Sequence, residues 1–170
     1  MSYTINDFYY DICKFHDAAD EKMPLEPTML PTDEVGAHKR YAAEVAYLSN
    51  NIKQYTSTIS DNLLLKRVSW MLEEIAELLR AETIEDQTDA LTDLMVFTVG
   101  TFTYMGLEPE KFMQIVMRAN MGKIGDNGKV LRNEQGKIVK PDDWQEKYAP
   151  EPLIKAEIER QRKAAEECPF

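Results

Sequence analysis

The sequence predicts an all-α fold: an antiparallel helical bundle with a short loop or hairpin tail and a C-terminal helix, completed by oligomerisation. Three observations carry this. Apolar residues recur at helical spacing through most of the chain, capping residues stand at the starts of those segments, and the breaks between the central segments are only a few residues long. Helices joined by so brief a connection must lie antiparallel, side by side.

Thr4 with Asp7 forms a capping pair, and Phe8, Ile12 and Phe15 follow at helical spacing, predicting a first helix from Ile5 to Asp20. Pro24, Pro27 and Pro31 then force a loop. Thr32 can cap a second helix that starts at Asp33 and Glu34, both suited to the positive end of the helix dipole, and runs to Tyr55. The stretch from Thr56 to Asp61 is a polar break. Helix three, Asn62 to Ala81, carries Leu64, Leu65, Val68, Met71, Leu72, Ile75, Leu78 and Leu79, an apolar surface wide enough for the centre of a bundle. Thr83 with Asp86 caps helix four, which continues to a stop at Gly106. Glu108-Pro109 opens helix five, ending near Asn120. Asp126-Asn127-Gly128 and Gln135-Gly136 are turn signals flanking Lys129 to Asn133, a loop or small hairpin. After Pro141 and Trp144 comes a highly charged helix, Pro152 to Glu167. Residues 1–150 are expected to form one domain, with 151–170 a helical extension.

Length and composition set the class. A chain of 170 residues with 44% hydrophobic content can bury a real core. Neither an apolar run long enough to span a membrane nor a secretory leader pattern is visible, so the cytoplasm is the expected compartment. Cys13 and Cys168 lie near opposite ends and outside any Cys/His cluster, which suits two reduced thiols. A net charge of −10 argues against binding a nucleic-acid polymer. The charge is uneven, however: from Arg118 to Lys140 there are six basic residues against two acidic ones.

Upstream of that basic tract lies the most informative pattern, Glu73-Glu74-Ile-Ala-Glu77 on helix three and Asp86, Asp89 and Asp93 on helix four. Each set falls within an arc of about 100° or less on its helix, and Val96, Phe97 and Gly100 continue the aspartate stripe toward the expected core. Packing should therefore bury the acids. Carboxylates so placed repel one another and raise each other's pKa unless a cation neutralises them. An all-oxygen ligand set suits Mg²⁺ or Mn²⁺, which complete their shells with water and substrate phosphate. The basic tract supplies groups for the phosphate oxygens that a metal leaves uncovered.

The ordered pieces Glu73-Glu74-Ile-Ala-Glu77, Asp89-Ala-Leu-Thr-Asp93-Leu-Met-Val-Phe, Asn120-Met-Gly-Lys123, Asp126-Asn-Gly-Lys129 and Gly136-Lys137-Ile-Val-Lys140-Pro141 resemble the MazG-like, phosphoribosyl-ATP pyrophosphohydrolase-like branch of the all-α nucleoside triphosphate pyrophosphohydrolases. The match covers Trp70 to Trp144. The resemblance implies a Mg²⁺-dependent helical bundle working as a homodimer or homotetramer, which cleaves a nucleoside triphosphate between its α and β phosphates. It assigns Glu74, Glu77 and Asp93 as metal ligands, Glu73 to a second metal or the attacking water, and Asn120 and Lys123 to phosphate. The wider superfamily has ExxD in the second motif. Here Ala90 stands three residues before Asp93, so Asp89 substitutes from the neighbouring position. The stretch from Lys22 to Asp61 is also longer than the minimal family pattern.

Glu73 is the first choice of general base, with Glu74 beside it. Lys129, Lys137 and Lys140 join the candidate phosphate contacts. His16, after Phe15, is a candidate nucleotide contact, and Trp70, at the angular position of the glutamates, a candidate base-stacking residue. Two other classes compete with this one. A di-iron carboxylate bundle needs Glu-x-x-His pairs, but Cys13 precedes His16 and Val35 precedes His38 at that spacing. The alternative to an enzyme is an acidic helical scaffold or partner-binding module.

Overall fold

A computed structural model describes residues 2–32 and 35–167. They hold seven α-helices: α1 (Ile5–Ala18), α2 (Ala37–Thr58), α3 (Leu63–Arg80), α4 (Ile84–Tyr104), α5 (Glu110–Met121), α6 (Trp144–Tyr148) and α7 (Glu151–Glu167). The fold is all-α, and among the described residues the only β pairing is two isolated antiparallel bridges, Ile124 with Val130 and Arg132 with Ile138. Among those residues no helix is long and apolar enough to cross a membrane. The chain divides into two compact units, Pro24–Gly106 and Met1–Met23 with Leu107–Phe170.

Most elements match the expected ones. Thr4 and Asp7 form a full capping box on α1, Asn62 accepts from the Leu65 amide at the start of α3, and Thr83 accepts from the Asp86 amide at the start of α4. Two differ. The second helix begins at Ala37 rather than after Thr32, because Gly36 takes the left-handed conformation at φ +70° and breaks the backbone there; the expected starting residues Asp33 and Glu34 lie outside the described residues. The five-residue α6 was not expected, being too short to show a helical period.

In the unit 24–106, α2 and α3 pack tightly through small residues. Ala42, Ser49, Ser69 and Ala76 are almost wholly buried, and the Ser49 hydroxyl donates to the Ser69 carbonyl at 2.7 Å. This departs from the apolar centre expected of helix three: its fully buried positions are Arg67, Ser69, Glu74 and Ala76, while Leu64 is 67% exposed. Small side chains bring the two helix axes close, and the larger leucines are left at the margins of the contact.

The α3–α4 pair is tied by Arg67. Its guanidinium donates to the Phe97 carbonyl and the Thr101 hydroxyl and lies over the rings of Trp70, Phe97 and Tyr104, 5.2–5.4 Å from their centroids. Gly100 makes room for it, since a Cβ there would sit 2.9 Å from the guanidinium. The Gln87 side chain clips the extended segment before α2 by bonding both the amide and the carbonyl of Leu30.

The other unit packs α5 against α1 and α7. Phe112, Ile115, Met117 and Ala119 are buried on α5, and the buried Trp144 donates its indole N–H to the Ala119 carbonyl at 2.8 Å. The tail returns to the end of α1: the Lys129 ammonium bonds the Asp17 carbonyl, the Val130 amide the Ala18 carbonyl, and the Arg132 guanidinium the Ala19 carbonyl. The Ala18 and Ala19 carbonyls, which the helix end leaves unpaired, are thereby satisfied, and the Asp17 carbonyl gains a second donor beside the Asp20 amide. Gly122 lies under Tyr148, so close that a Cβ would come within 2.3 Å of the ring. On α7, Glu157 is buried and accepts from Arg160 and Gln161, and these donors lower its pKa from 4.5 to about 2.

Two outcomes are expected. Gly122→Ala must displace Tyr148 and should destabilise the protein by about 2 kcal/mol, seen as a fall of about 4–8 °C in thermal melts. Because the Glu157 pKa is depressed on folding, its stabilisation is complete above the unfolded value of 4.5 and fades as pH falls toward about 2. The difference in melting temperature between wild type and Glu157→Gln should therefore shrink steadily below pH 4.5 in a pH series of melts.

Candidate active site

The acidic residues all belong to the unit 24–106, where the three-residue connection 81–83 turns α3 back along α4. Glu74 is the centre of the group. It is only 7% exposed, and its Oε2 is fully buried without a hydrogen-bond partner. Burial pushes its carboxyl pKa up, and the nearby charges of Glu77, Asp93, Glu73 and Asp89, in falling order, push it further. Four carboxylates from two helices thus act on Glu74.

The expected burial of the whole stripe does not occur. Glu77, Asp86, Asp89, Asp93 and Val96 are exposed, Glu73 and Phe97 are half-buried, and only Glu74 is enclosed. The α3–α4 contact is too close for more than one long acid, because Ala90 and Gln87 fill the buried face of α4 beside it. Asp86 serves the start of α4, where its amide is the target of Thr83, and it does not perturb Glu74. Glu73 and Glu77 also face a 150 Å³ recess toward α2, shared with Ala46, Ser49, Asn50, Ala76 and Arg80. There Lys53 of α2 forms an ion pair with Glu73.

A buried carboxylate oxygen with no partner, ringed by four more carboxylates, is the chemistry of a hard divalent cation site. The donor set fits Mg²⁺ or Mn²⁺ and contains no soft ligand. Among the described residues no three His, Cys, Asp or Glu side chains stand together closely enough to hold an ion, and Glu73 is turned toward Lys53.

The remaining candidates are distributed as follows. Trp70, half-buried on α3, stacks obliquely on Phe97 at 5.8 Å under the Arg67 guanidinium. Asn120, Lys123, Lys129, Lys137, Lys140 and His16 belong to the other unit. The Lys123 ammonium donates to Asn120 Oδ1 at 2.8 Å and lies over the Phe15 ring, and burial, with Lys140 nearby, pushes its pKa down. Lys140 stacks on Trp144, whereas Lys129 is engaged by Asp20 and the end of α1. Lys137 and His16 are exposed. Sequence reasoning passed over two residues of the acidic region. Arg67 sits two turns before Glu74 in an otherwise apolar stripe, a signal that was present. Lys53 carried no signal, since only the packing of α2 on α3 brings it to Glu73.

Comparison with known proteins agrees with this picture. The family described as phosphoribosyl-ATP pyrophosphohydrolase matches residues 45–120, which run from the first half of α2 to Asn120. The chain is 30% identical to a solved structure from Exiguobacterium sp. 255-15, provisionally assigned as an NTP pyrophosphohydrolase, with a TM-score of 0.60 over 93% of this chain and 97% of that one. No curated protein matches the chain at comparable stringency.

Glu74→Gln should relieve the enclosed charge. Without divalent ion its melting temperature is expected to rise by about 3 °C, and added Mg²⁺ is expected to raise the melting temperature of the wild type but not of the variant, both read from melts with and without Mg²⁺.

Proposed function

We propose that this chain, which belongs to the MazG-like, phosphoribosyl-ATP pyrophosphohydrolase-like family of all-α hydrolases acting on phosphoanhydrides, is a Mg²⁺-dependent nucleoside triphosphate pyrophosphohydrolase. It cleaves the α–β anhydride to give a monophosphate and pyrophosphate. The observation that carries this reading is the buried, partnerless Oε2 of Glu74 amid Glu73, Glu77, Asp89 and Asp93.

Glu74, Glu77, Asp89 and Asp93 would hold the cation, with Glu73 completing the set. When bound, Mg²⁺ neutralises charge on the anhydride oxygens and makes water a better nucleophile at neutral pH. The protein's own groups do the rest. Glu73 is placed at the rim of the cluster, where its carboxylate can accept the proton of the attacking water, with Glu74 the alternative acceptor. Lys123, held by Asn120, presents an ammonium to phosphate, and Lys140 and Lys137 add positive charge to the same unit. Trp70 offers an aromatic face for the base, and His16 a contact for the nucleotide.

The reading extends to assembly. The outer face of α4 carries Leu91, Met95 and Val99 at four-residue spacing, each more than 40% exposed. Such a stripe suits a second copy of the chain, giving a homodimer or a pair of dimers.

Purified protein with Mg²⁺ and a panel of ribo- and deoxynucleoside triphosphates should release pyrophosphate and monophosphate in equal amounts. Glu77→Ala is expected to lose about a hundredfold or more of that turnover while remaining folded. Release of orthophosphate instead of pyrophosphate would move the cleavage to another anhydride and overturn the reading.

A further inference from the structure

We propose that Lys53 is the resident counter-cation of the acidic site, a positioning residue that competes with the divalent ion for Glu73. Once Glu73 turns toward the metal, Lys53 is free to face the phosphates of the substrate. This rests on the pyrophosphohydrolase reading for its second half only.

The geometry of α2 on α3 makes the ion pair an unusual one. The Ser49–Ser69 hydrogen bond marks where these antiparallel helices touch. The Ser69 carbonyl points along α3 toward Glu73, so Ser49 and Glu73 share the recess between α2 and α3, and Lys53 lies one turn further along α2, about 6 Å along the axis. Helical side chains lean toward their own N-termini, and in an antiparallel pair that tilts Lys53 and Glu73 toward each other. They meet in a close ion pair.

Holding two long side chains in one geometry loses rotamer entropy, which the attraction between these half-buried charges offsets. Among the described residues, no other Lys or Arg is ion-paired with Glu73, Glu74, Glu77, Asp89 or Asp93. Among the described residues Lys53 is thus the one lysine or arginine ion-paired with these five carboxylates, and it holds Glu73 on the α2 side of α3.

The test is Lys53→Met, close in length but uncharged, with binding of Mn²⁺ alone read by electron paramagnetic resonance and of Mg²⁺ by calorimetry, without nucleotide. The expected result is divalent affinity about 3–10-fold tighter than wild type, because the competitor is gone. Lys53→Arg should restore wild-type affinity, and in a Glu73→Gln background the Lys53→Met effect should vanish. With nucleotide, Lys53→Met should raise KM and lower kcat/KM despite its tighter metal binding, a split that loss of packing does not produce. Unchanged or weaker Mn²⁺ affinity in Lys53→Met, or the same gain in the Glu73→Gln background, would overturn the proposal. If wild type turns over no triphosphate yet the affinity gain appears, the counter-cation stands and the pyrophosphohydrolase reading falls.

Discussion

The structure of the 24–106 unit depends on one constraint: a carboxylate must be kept buried between α3 and α4, facing other carboxylates, without forcing those helices apart. Glu74 is electrostatically unfavourable where it stands, and the helix pair holds it by other means. Two turns earlier on the same face of α3, Arg67 bonds the backbone and a hydroxyl of α4 and fills the space above Gly100. The guanidinium fixes the spacing of the two helices, and the spacing fixes what surrounds Glu74. On the opposite flank α2 is drawn in by the Ser49–Ser69 bond, so α3 is gripped from both sides by polar stitches at small residues rather than by a leucine core.

This division of labour explains why the acidic helix is poor in buried apolar residues. An enclosed, partnerless carboxylate oxygen such as Glu74 Oε2 costs stability where it stands. Stability must then come from other contacts. The Arg67 hydrogen bonds are one, the small-residue contact another, and the Gln87 clip on Leu30 a third.

Much of this was legible in the sequence. The helices α1, α3, α4, α5 and α7 were visible because capping residues and apolar periodicity agree there, and the two acid motifs because their spacing places them on adjoining faces. What escaped was tertiary. The stripe on α4 reads as buried from its continuation into Val96 and Phe97, yet the closeness that Ala90 permits leaves Asp89 and Asp93 at the edge. Lys53 and Lys129 look alike as letters, one lysine in a helix and one in a turn. Packing gives one to Glu73 and the other to the end of α1, and no local pattern distinguishes them.

The attachment of the tail to α1 bears on how the chain is made. The carbonyls at the end of α1 receive their donors from residues as many as 113 positions later. At a synthesis rate of about 5–20 residues per second, the first helix emerges roughly 5–20 seconds before the segment that finishes it. During that interval the Ala18 and Ala19 carbonyls have only water, and the apolar face of α1 has neither Phe112 nor Ile115 to lie against. The unit 24–106, by contrast, is contiguous and can close as soon as α4 is out. The acid-bearing unit is therefore the part of the molecule that can fold while the rest is still being translated, and the unit assembled from both ends of the chain is the last to close.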